Sequence, residues 1–450
     1  MPFSAVLRQL ATLAWPVVGL NVLTVLALAV DTAMVGHTPL AEAALTGMGF
    51  ATQVVFLLMV AMMGVTVGSV AFVSRAHGAG DRARVDEVVA QSATLAVVLG
   101  LLVAVLGNLV AAPGLRLLGA HGADLDQALR YLRPLLLGSP FYYLGILLTA
   151  VCRGVGNTRL PFLVSAFANA LNFVVNYALI MGHWGAPALG TLGAAIGTVI
   201  SQLFSVVALT ALLSRGAVPG LRVRPRLVLP RWGHVRDLLR VGAPAALDLV
   251  IVNGGLLSII GMLGRIDPLA VAAHGVGLRV QSLAFVPGIG ISQAIAAMVG
   301  QALGARDPDR ARQVLRAGVG LCSGVMGVIA VPLLVAGPWL VGLFDVDPHG
   351  TLGQYALQWM RLLGWSMPAM GVYVAFIGLF QGSGATRLSL SINALITLAF
   401  QIPLSWVLGF PLGLGAFGVW LALPLGHVAK GLLAIWVYRQ GGWARVGGRV

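Results

Sequence analysis

Apolar runs of roughly 20 residues recur along the whole chain, and each is long enough to cross a hydrocarbon core of about 30 Å as a helix. A segment in lipid must satisfy its backbone hydrogen bonds internally, which leaves only helices and closed barrels. Because the runs are continuous rather than alternating, they predict helices. The composition agrees, since 58% of the residues are hydrophobic and only 9% are charged. We therefore predict an all-α polytopic membrane protein.

The apolar runs divide into twelve predicted spans. They cover residues 12–36, 44–72, 88–112, 134–151, 160–182, 189–213, 241–263, 270–300, 313–341, 355–380, 388–409 and 414–438. When alternate loops are assigned to opposite sides, the side with both termini holds 22 of the 28 Lys and Arg residues. The positive-inside rule makes this side cytoplasmic, so the net charge of +14 mainly reflects topology rather than nucleic-acid binding. We expect a multi-pass protein of the cell inner membrane.

Two segments of the first half recur in the second half. Residues 71–84 read AFVSRAHGAGDRAR and residues 297–310 read AMVGQALGARDPDR; residues 153–160 read RGVGNTRL and residues 381–388 read QGSGATRL. Six spans separate the copies, so both halves have the same orientation and are related by a parallel pseudo-twofold axis, as in some secondary transporters. We predict two six-helix bundles, 1–213 and 241–450, joined by a basic cytoplasmic linker, 214–240.

Asp31 is one of two acidic residues that lie well inside a predicted span. Charged residues are costly there and indicate function by default. A rise of 1.5 Å per residue places Asp31, Asn172, Asn176 and Thr198 at roughly 8 to 15 Å below the outer surface. Their oxygens suit a hard cation, and a desolvated carboxylate can instead carry a proton. Bridging hydrogen bonds between helices are the structural alternative for the amides and the hydroxyl.

Asp248 is the second intramembrane acid, and Arg279 lies within roughly 5 Å of its depth on the next span. An ion pair between these two residues would neutralise both charges. We favour this pairing over a second coupling site.

A few side chains of the first half suit a promiscuous pocket for amphipathic molecules. Flexible thioethers adapt to varied apolar ligands, and aromatic rings attract organic cations. The candidates are Met34, Met59, Met63 and Tyr142. Packing of the methionines in the core and anchoring of the tyrosine at the membrane interface are the alternatives.

The pattern from Pro16 to Asp31-Thr-Ala-Met-Val-Gly36, the turn Arg153-Gly-Val-Gly-Asn-Thr-Arg159 and Asn172 on span 5 resemble the multidrug and toxic compound extrusion (MATE) family over nearly the full length. This resemblance implies export of cationic or amphipathic compounds in exchange for H⁺ or Na⁺. It also implies ion-coupling roles for Asp31, Asn172 and Thr198.

The chain departs from the family pattern at two places. Many members carry a second acid one turn after the conserved asparagine, where this sequence has Asn176. The carboxylates that NorM-like members carry in spans 7 and 10 have no counterpart here, so the sequence is more similar to the DinF-like branch. With one carboxylate, a Na⁺ site formed by Asp31, Asn172 and Thr198 would bind weakly. We therefore favour H⁺ coupling through Asp31.

There are four alternatives to a proton-coupled exporter. They are a Na⁺-coupled exporter, a lipid-linked saccharide flippase of the same superfamily, which would need a cationic cavity, a membrane prenyl or acyl transferase, which would need paired acids or a His–acid pair near the interface, and a channel. We expect no enzymatic activity, no cofactor, no resident metal and no nucleic-acid partner. The expected partners are small organic cations or amphiphiles and the lipid bilayer, and we expect a monomer.

Overall fold

The computed structural model describes residues 2–222, 228–344 and 346–446, with only the backbone for 445 and 446. Their helices are α1 Phe3–Gly36, α2 Ala41–Gly78, α3 Arg82–Leu102, α4 Asn108–Leu117, α5 Gly122–Leu137, α6 Ser139–Gly154, α7 Arg159–Met181, α8 Thr191–Ser214, α9 Trp232–Gly264, α10 Pro268–Gly304, α11 Pro308–Val335, α12 Gly337–Gly342, α13 Thr351–Gly382, α14 Thr386–Ala394, α15 Ile402–Gly409, α16 Gly415–Arg439 and α17 Gly442–Val446. No β-strand forms within these described ranges, which confirms the all-α prediction.

Eleven helical segments of the described chain are long and apolar enough to cross a membrane. A twelfth span requires α5 and α6 together, because these two helices meet at a bend of 57°. Pro140 lies in the first turn of α6, where a proline is tolerated because its missing N–H would have no helical partner. The predicted twelve spans are confirmed, although the fourth is broken rather than straight.

The repeated sequence segments form the same turns in both halves. Asp81 caps α3 by accepting a hydrogen bond from the backbone N of Arg84 at 2.9 Å, and Asp307 caps α11 in the same way through Arg310. Capping side chains satisfy backbone donors that a helix start leaves unpaired. The predicted internal repeat therefore also appears as repeated local structure.

Two spans contain a π-helical turn. Val103–Gly107 joins α3 to α4, and Leu395–Gln401 joins α14 to α15. Such turns often lie at functional sites. The second π-turn has no counterpart in α7, which runs without a break from Arg159 to Met181. The fifth span of each half is therefore built differently.

The chain divides into two compact units. One contains Gly19–Gly242, and the other contains Met1–Val18 together with Ala243–Val450. This division differs from the predicted boundaries, because the first residues of α1 group with the second half and the first residues of α9 group with the first half. Residues 223–227 of the predicted linker, including Arg224 and Arg226, lie outside the described residues.

Each unit has its own apolar core. In the unit Gly19–Gly242, a buried cluster includes Met34, Met48, Tyr131 and Ile180. In the other unit, Leu10 packs in one cluster with Ile295 and Phe380, and Trp359 and Trp420 pack in a second cluster.

Candidate functional site

Asp31 lies near the C-terminal end of α1 and is only 5% exposed. Its Oδ1 accepts a hydrogen bond from the Asn176 Nδ2 of α7 at 2.6 Å. Asn172 lies one turn earlier on the same face of α7, and in its favoured amide orientation its Oδ1 accepts a hydrogen bond from the Asn176 Nδ2 at 3.3 Å. The structure therefore brings together the carboxylate and both amides that the sequence predicted.

The Asn172 amide fits its surroundings best with its nitrogen toward Asp31. In this orientation its Nδ2 donates to the Asp31 Oδ1 at 3.2 Å, and its Oδ1 accepts from the backbone N of Thr198 at 3.2 Å. The Thr198 hydroxyl instead donates to the Ala194 carbonyl of its own helix at 3.0 Å. Thr198 therefore reaches the cluster through its backbone, whereas the sequence predicted a hydroxyl ligand.

The first-half cluster, defined as Asp31, Asn172 and Asn176, contains one unsatisfied acceptor. The Asn176 Oδ1 is buried and has no hydrogen-bond partner among the described residues. An unpaired buried acceptor destabilises the folded protein by about 1–3 kcal/mol, and this cost favours the binding of a hydrogen-bond donor or a cation there. No described basic residue forms an ion pair with Asp31, and α8 contains no Lys or Arg along its length. The cluster can therefore accept one positive charge.

The four predicted substrate residues are spread over the first half rather than gathered beside Asp31. Met34 packs in the buried core with Met48, and Met59 is exposed. Met63 and Tyr142 are half-buried, and the Tyr142 ring lies 6.1 Å from the ring of Tyr143. Their role in substrate binding stays a prediction.

A second polar cluster surrounds Asp248 in the other unit. The Asp248 Oδ1 accepts from the Asn393 Nδ2 at 2.7 Å, and its Oδ2 accepts from the Ser389 hydroxyl at 3.0 Å. Thr397, in the π-turn, donates to the Asn393 Oδ1 at 3.1 Å. We call Asp248, Ser389, Asn393 and Thr397 the second-half cluster.

The predicted pair of Asp248 with Arg279 does not form. The partners of the Asp248 carboxylate come from α14, and the Arg279 side chain is exposed on α10. Equal depth on adjacent helices does not specify which way each side chain points, and here the helix rotation turns Arg279 away from the carboxylate.

Lys430 of α16 is the basic residue that accompanies Asp248, and sequence reasoning missed it by counting it with the cytoplasmic charges. It is 7% exposed, lies within electrostatic range of Asp248, and has its Nζ 5.9 Å from the centroid of the Tyr373 ring. A composition signal could have found it. Lys430 is the single lysine of the chain, and all the other residues among its 28 Lys and Arg are arginines.

The sequence profile of the MatE family matches residues 16–178 and 244–407. The chain belongs to the MatE family. The two matched stretches start at Pro16 and at Pro244, so the profile matches once in each half of the predicted repeat.

Curated relatives in the family match nearly the full length of the chain. It is 27% identical over 438 residues to the probable multidrug resistance protein NorM of Thermotoga maritima, covering 97% of this chain and 93% of the relative. It is 31% identical over 422 residues to a protein of the same name from Bradyrhizobium diazoefficiens, covering 90% and 87%. It is 28% identical over 393 residues to the probable multidrug resistance protein YoeA of Bacillus subtilis, covering 87% and 84%.

Solved MATE structures have the same fold. A crystal structure of a MATE protein in the bent conformation aligns with a TM-score of 0.88 at 20% identity, covering 100% of this chain and 99% of the other. The Vibrio cholerae MATE transporter VcmN aligns with a TM-score of 0.89 at 22% identity, covering 98% and 97%. The predicted fold class is confirmed, while the DinF-like branch stays a prediction.

Proposed function

We propose that this MatE-family protein is a secondary active exporter of cationic or amphipathic organic compounds that works by alternating access and exchanges them for H⁺ bound at Asp31. The family and the names of the curated relatives support export. The observation that carries the coupling proposal is the first-half cluster, in which a buried carboxylate that pairs with no described basic residue lies beside the Asn176 Oδ1, which has no hydrogen-bond partner in the described part of the chain.

A proton changes the hydrogen-bond pattern of this cluster. Ionised Asp31 only accepts hydrogen bonds, and it takes them from the amides of Asn176 and Asn172. A protonated carboxyl also donates, and a half-turn of the Asn176 amide would present its Oδ1 as the acceptor. Protonation therefore alters the contacts between α1 and α7. Such differential contacts are what bias a transporter between two states.

The direction of exchange follows from the predicted topology. Both termini lie in the cytoplasm and the protein resides in the cell inner membrane, so the outer end of α1 places Asp31 on the side where proton concentration is high. Proton binding from outside favours release of the organic compound, and proton loss to the cytoplasm resets the cycle.

The test is dye efflux from proteoliposomes driven separately by a pH gradient and by a Na⁺ gradient. Purified wild type and Asp31→Asn are compared at matched incorporation, with Thr198→Val as a control because its hydroxyl bonds only its own helix. We expect a pH gradient to drive wild type and Thr198→Val, and Asp31→Asn to be inactive.

Each other outcome has a distinct meaning. Transport driven only by Na⁺ replaces the proton with Na⁺ as the coupling ion. Full activity of Asp31→Asn removes Asp31 from the mechanism. No dye movement in folded wild type weakens drug export and favours the lipid-linked saccharide flippase.

A further inference from the structure

The Asp–Asn pair of the first half recurs in the second half. Asp31 and Asn176 are 145 residues apart and bond at 2.6 Å, and Asp248 and Asn393 are also 145 residues apart and bond at 2.7 Å. In both halves the acid lies on the first helix and the amide on the fifth span. The pairs are offset by 217 residues, whereas α1 and α9 end at Gly36 and Gly264, an offset of 228. Asp248 therefore lies about 16 Å farther from the C-terminal end of its own helix than Asp31 does, given 1.5 Å per residue, so the two pairs are not at equivalent positions of the repeat.

The second pair differs from the first because every side-chain oxygen of Asp248 and Asn393 accepts a hydrogen bond. Ser389 fills the second carboxylate oxygen of Asp248, and Thr397 fills the Asn393 Oδ1. The corresponding amide oxygen of Asn176 has no partner among the described residues. The second-half cluster thus presents carboxylate, hydroxyl and amide oxygens around one buried negative charge, a ligand set that suits a hard monovalent cation.

The chain itself supplies a cation to this cluster. Lys430 interacts electrostatically with Asp248, although no described ion pair of 4.0 Å or less joins them. An Asp–Lys pair has no net charge whichever group holds the proton, so it lowers the cost of burying Asp248. All the other residues among the 28 Lys and Arg are arginines. A lysine ammonium is a compact point charge, unlike the planar guanidinium, and so resembles a small cation more closely.

We propose that the second-half cluster is an intramembrane monovalent-cation site whose negative charge is balanced by the nearby Lys430 ammonium, so that removing this ammonium leaves Asp248 able to bind Na⁺ or H⁺. The inference rests on the proposed function only in treating Asp31 as the other site for a cation. In the second half the positive charge is the fixed Lys430 ammonium, whereas in the first half it is a cation that binds to Asp31 and leaves again.

The titratable and polar groups around Asp248 and Lys430 come from four helices. Asp248 on α9 interacts with Lys430 from α16 and Tyr373 from α13, and Lys430 also interacts with His427 one turn earlier on α16. From α14, Asp248 meets the uncharged Ser389 and Asn393. His427 is itself bonded to Ser366 at 3.2 Å. Asp248 is therefore the carboxylate expected to respond when Lys430 is replaced.

The experiment measures thermal stability of purified protein in detergent, without substrate, in an Asp31→Asn background that removes the first carboxylate. The variants add Lys430→Met, Lys430→Arg, or Lys430→Met with Asp248→Asn. Each is measured with NaCl or choline chloride at pH 8, and in choline chloride from pH 8 to pH 5.5. Methionine keeps the length of lysine without its charge, and arginine keeps the charge.

We expect the Lys430→Met protein to gain about 3 °C or more from Na⁺, from acidification or from both, because ligands that bind only the folded state raise Tm. Acidification acts by protonating the uncompensated Asp248, so stability rises as pH falls. The background protein, Lys430→Arg and the variant that also carries Asp248→Asn should gain no more than about 1 °C. The Na⁺ and pH arms separate the two cations.

Two results would overturn the proposal. One is a Lys430→Met protein that responds no more than its background, and the other is a response that persists when Asp248 is also replaced. If Lys430→Met alone fails to fold, adding Asp248→Asn must restore folded protein, and failure to do so also overturns it. Because transport is not measured, an inactive exporter and an absent second site give different results.

Discussion

The two halves hold the same Asp–Asn pair, yet they complete it differently. Around Asp31, the Asn176 Oδ1 has no described partner and α8 carries no basic residue. Around Asp248, Thr397 fills the matching amide oxygen and Lys430 supplies a positive charge. The same kind of residue contact can therefore be left open in one half and closed in the other.

This difference shows why an internal repeat does not imply two equivalent sites. An ion can change the conformational equilibrium only if it binds the two states with different free energies. A cluster with an unpaired acceptor and an uncompensated carboxylate can gain such a free energy on binding. A cluster whose partners are already supplied gains less, and its buried charges then mainly fix the packing of α9, α14 and α16.

The largest expected contrast is between neutralising the two acids. We expect Asp31→Asn to lose gradient-driven efflux while folding normally, because the amide removes the only charge of its cluster. Asp248→Asn should instead lower the yield of folded protein, since it leaves the Lys430 ammonium buried without its partner. The molecules that do fold should transport.

Two measurements separate the loss of transport from the loss of folded protein. Size-exclusion chromatography gives the yield of folded protein, and efflux is then expressed per folded molecule. Adding Lys430→Met to Asp248→Asn serves as the control and should restore yield. If Asp248→Asn also abolishes efflux in folded protein, the second half takes part in coupling and the contrast fails.

A second carboxylate in the first half should change the coupling ion. Asn176→Asp puts two acids at the open cluster, and added ligand charge strengthens cation binding. We expect the first-half cluster of this variant to bind Na⁺ about tenfold more tightly than in wild type, so that a Na⁺ gradient drives efflux by the variant and not by wild type. Asn393→Asp is the matched change in the second half and should leave the Na⁺ response of efflux as it was, because only the first-half cluster is proposed to exchange its cation during transport. Equal Na⁺ responses in both variants would contradict the distinction.

Much of the architecture could be predicted because it depends on hydrophobic length and on local turn chemistry. The twelve spans, the all-α fold and the repeated caps at Asp81 and Asp307 follow from such features. The bend between α5 and α6 and the π-turn after Asn393 could not be predicted, since they depend on tertiary packing.

The site residues could be predicted only where the position of a side chain along its span is enough to determine which other side chains it contacts. Asp31, Asn172 and Asn176 share one depth and do meet. Asp248 and Arg279 share a depth and do not, because helix rotation points their side chains in different directions. Lys430 was missed because it was counted among the cytoplasmic charges, although it is the single lysine in the sequence.

A smaller change should move the second-half arrangement into the first half. Ile180 lies four residues after Asn176, as Thr397 lies four after Asn393, and it is buried. Ile180→Thr offers a hydroxyl to the Asn176 Oδ1, and a hydrogen bond worth about 1 kcal/mol should weaken the apparent affinity for the coupling ion about fivefold. The concentration of ion giving half-maximal efflux measures this. Ile180→Val controls for the lost volume and should leave that concentration unchanged; an equal shift in both variants would assign the effect to packing.

The smallest contrast concerns the two threonines, which differ in what their hydroxyls bond. The Thr397 hydroxyl donates to Asn393 across the π-turn, so Thr397→Val should cost about 1 kcal/mol of stability by leaving the Asn393 Oδ1 unpaired. The Thr198 hydroxyl donates to a carbonyl of its own helix, which already takes part in helical bonding, so Thr198→Val should cost close to nothing. Thermal unfolding of both purified variants at fixed pH and salt decides between them. A larger loss for Thr198→Val, or a loss of ion-dependent stabilisation in that variant alone, would mean that the hydroxyl turns toward Asp31 when the ion binds. The open cluster would then include a fourth oxygen ligand, as the sequence had predicted.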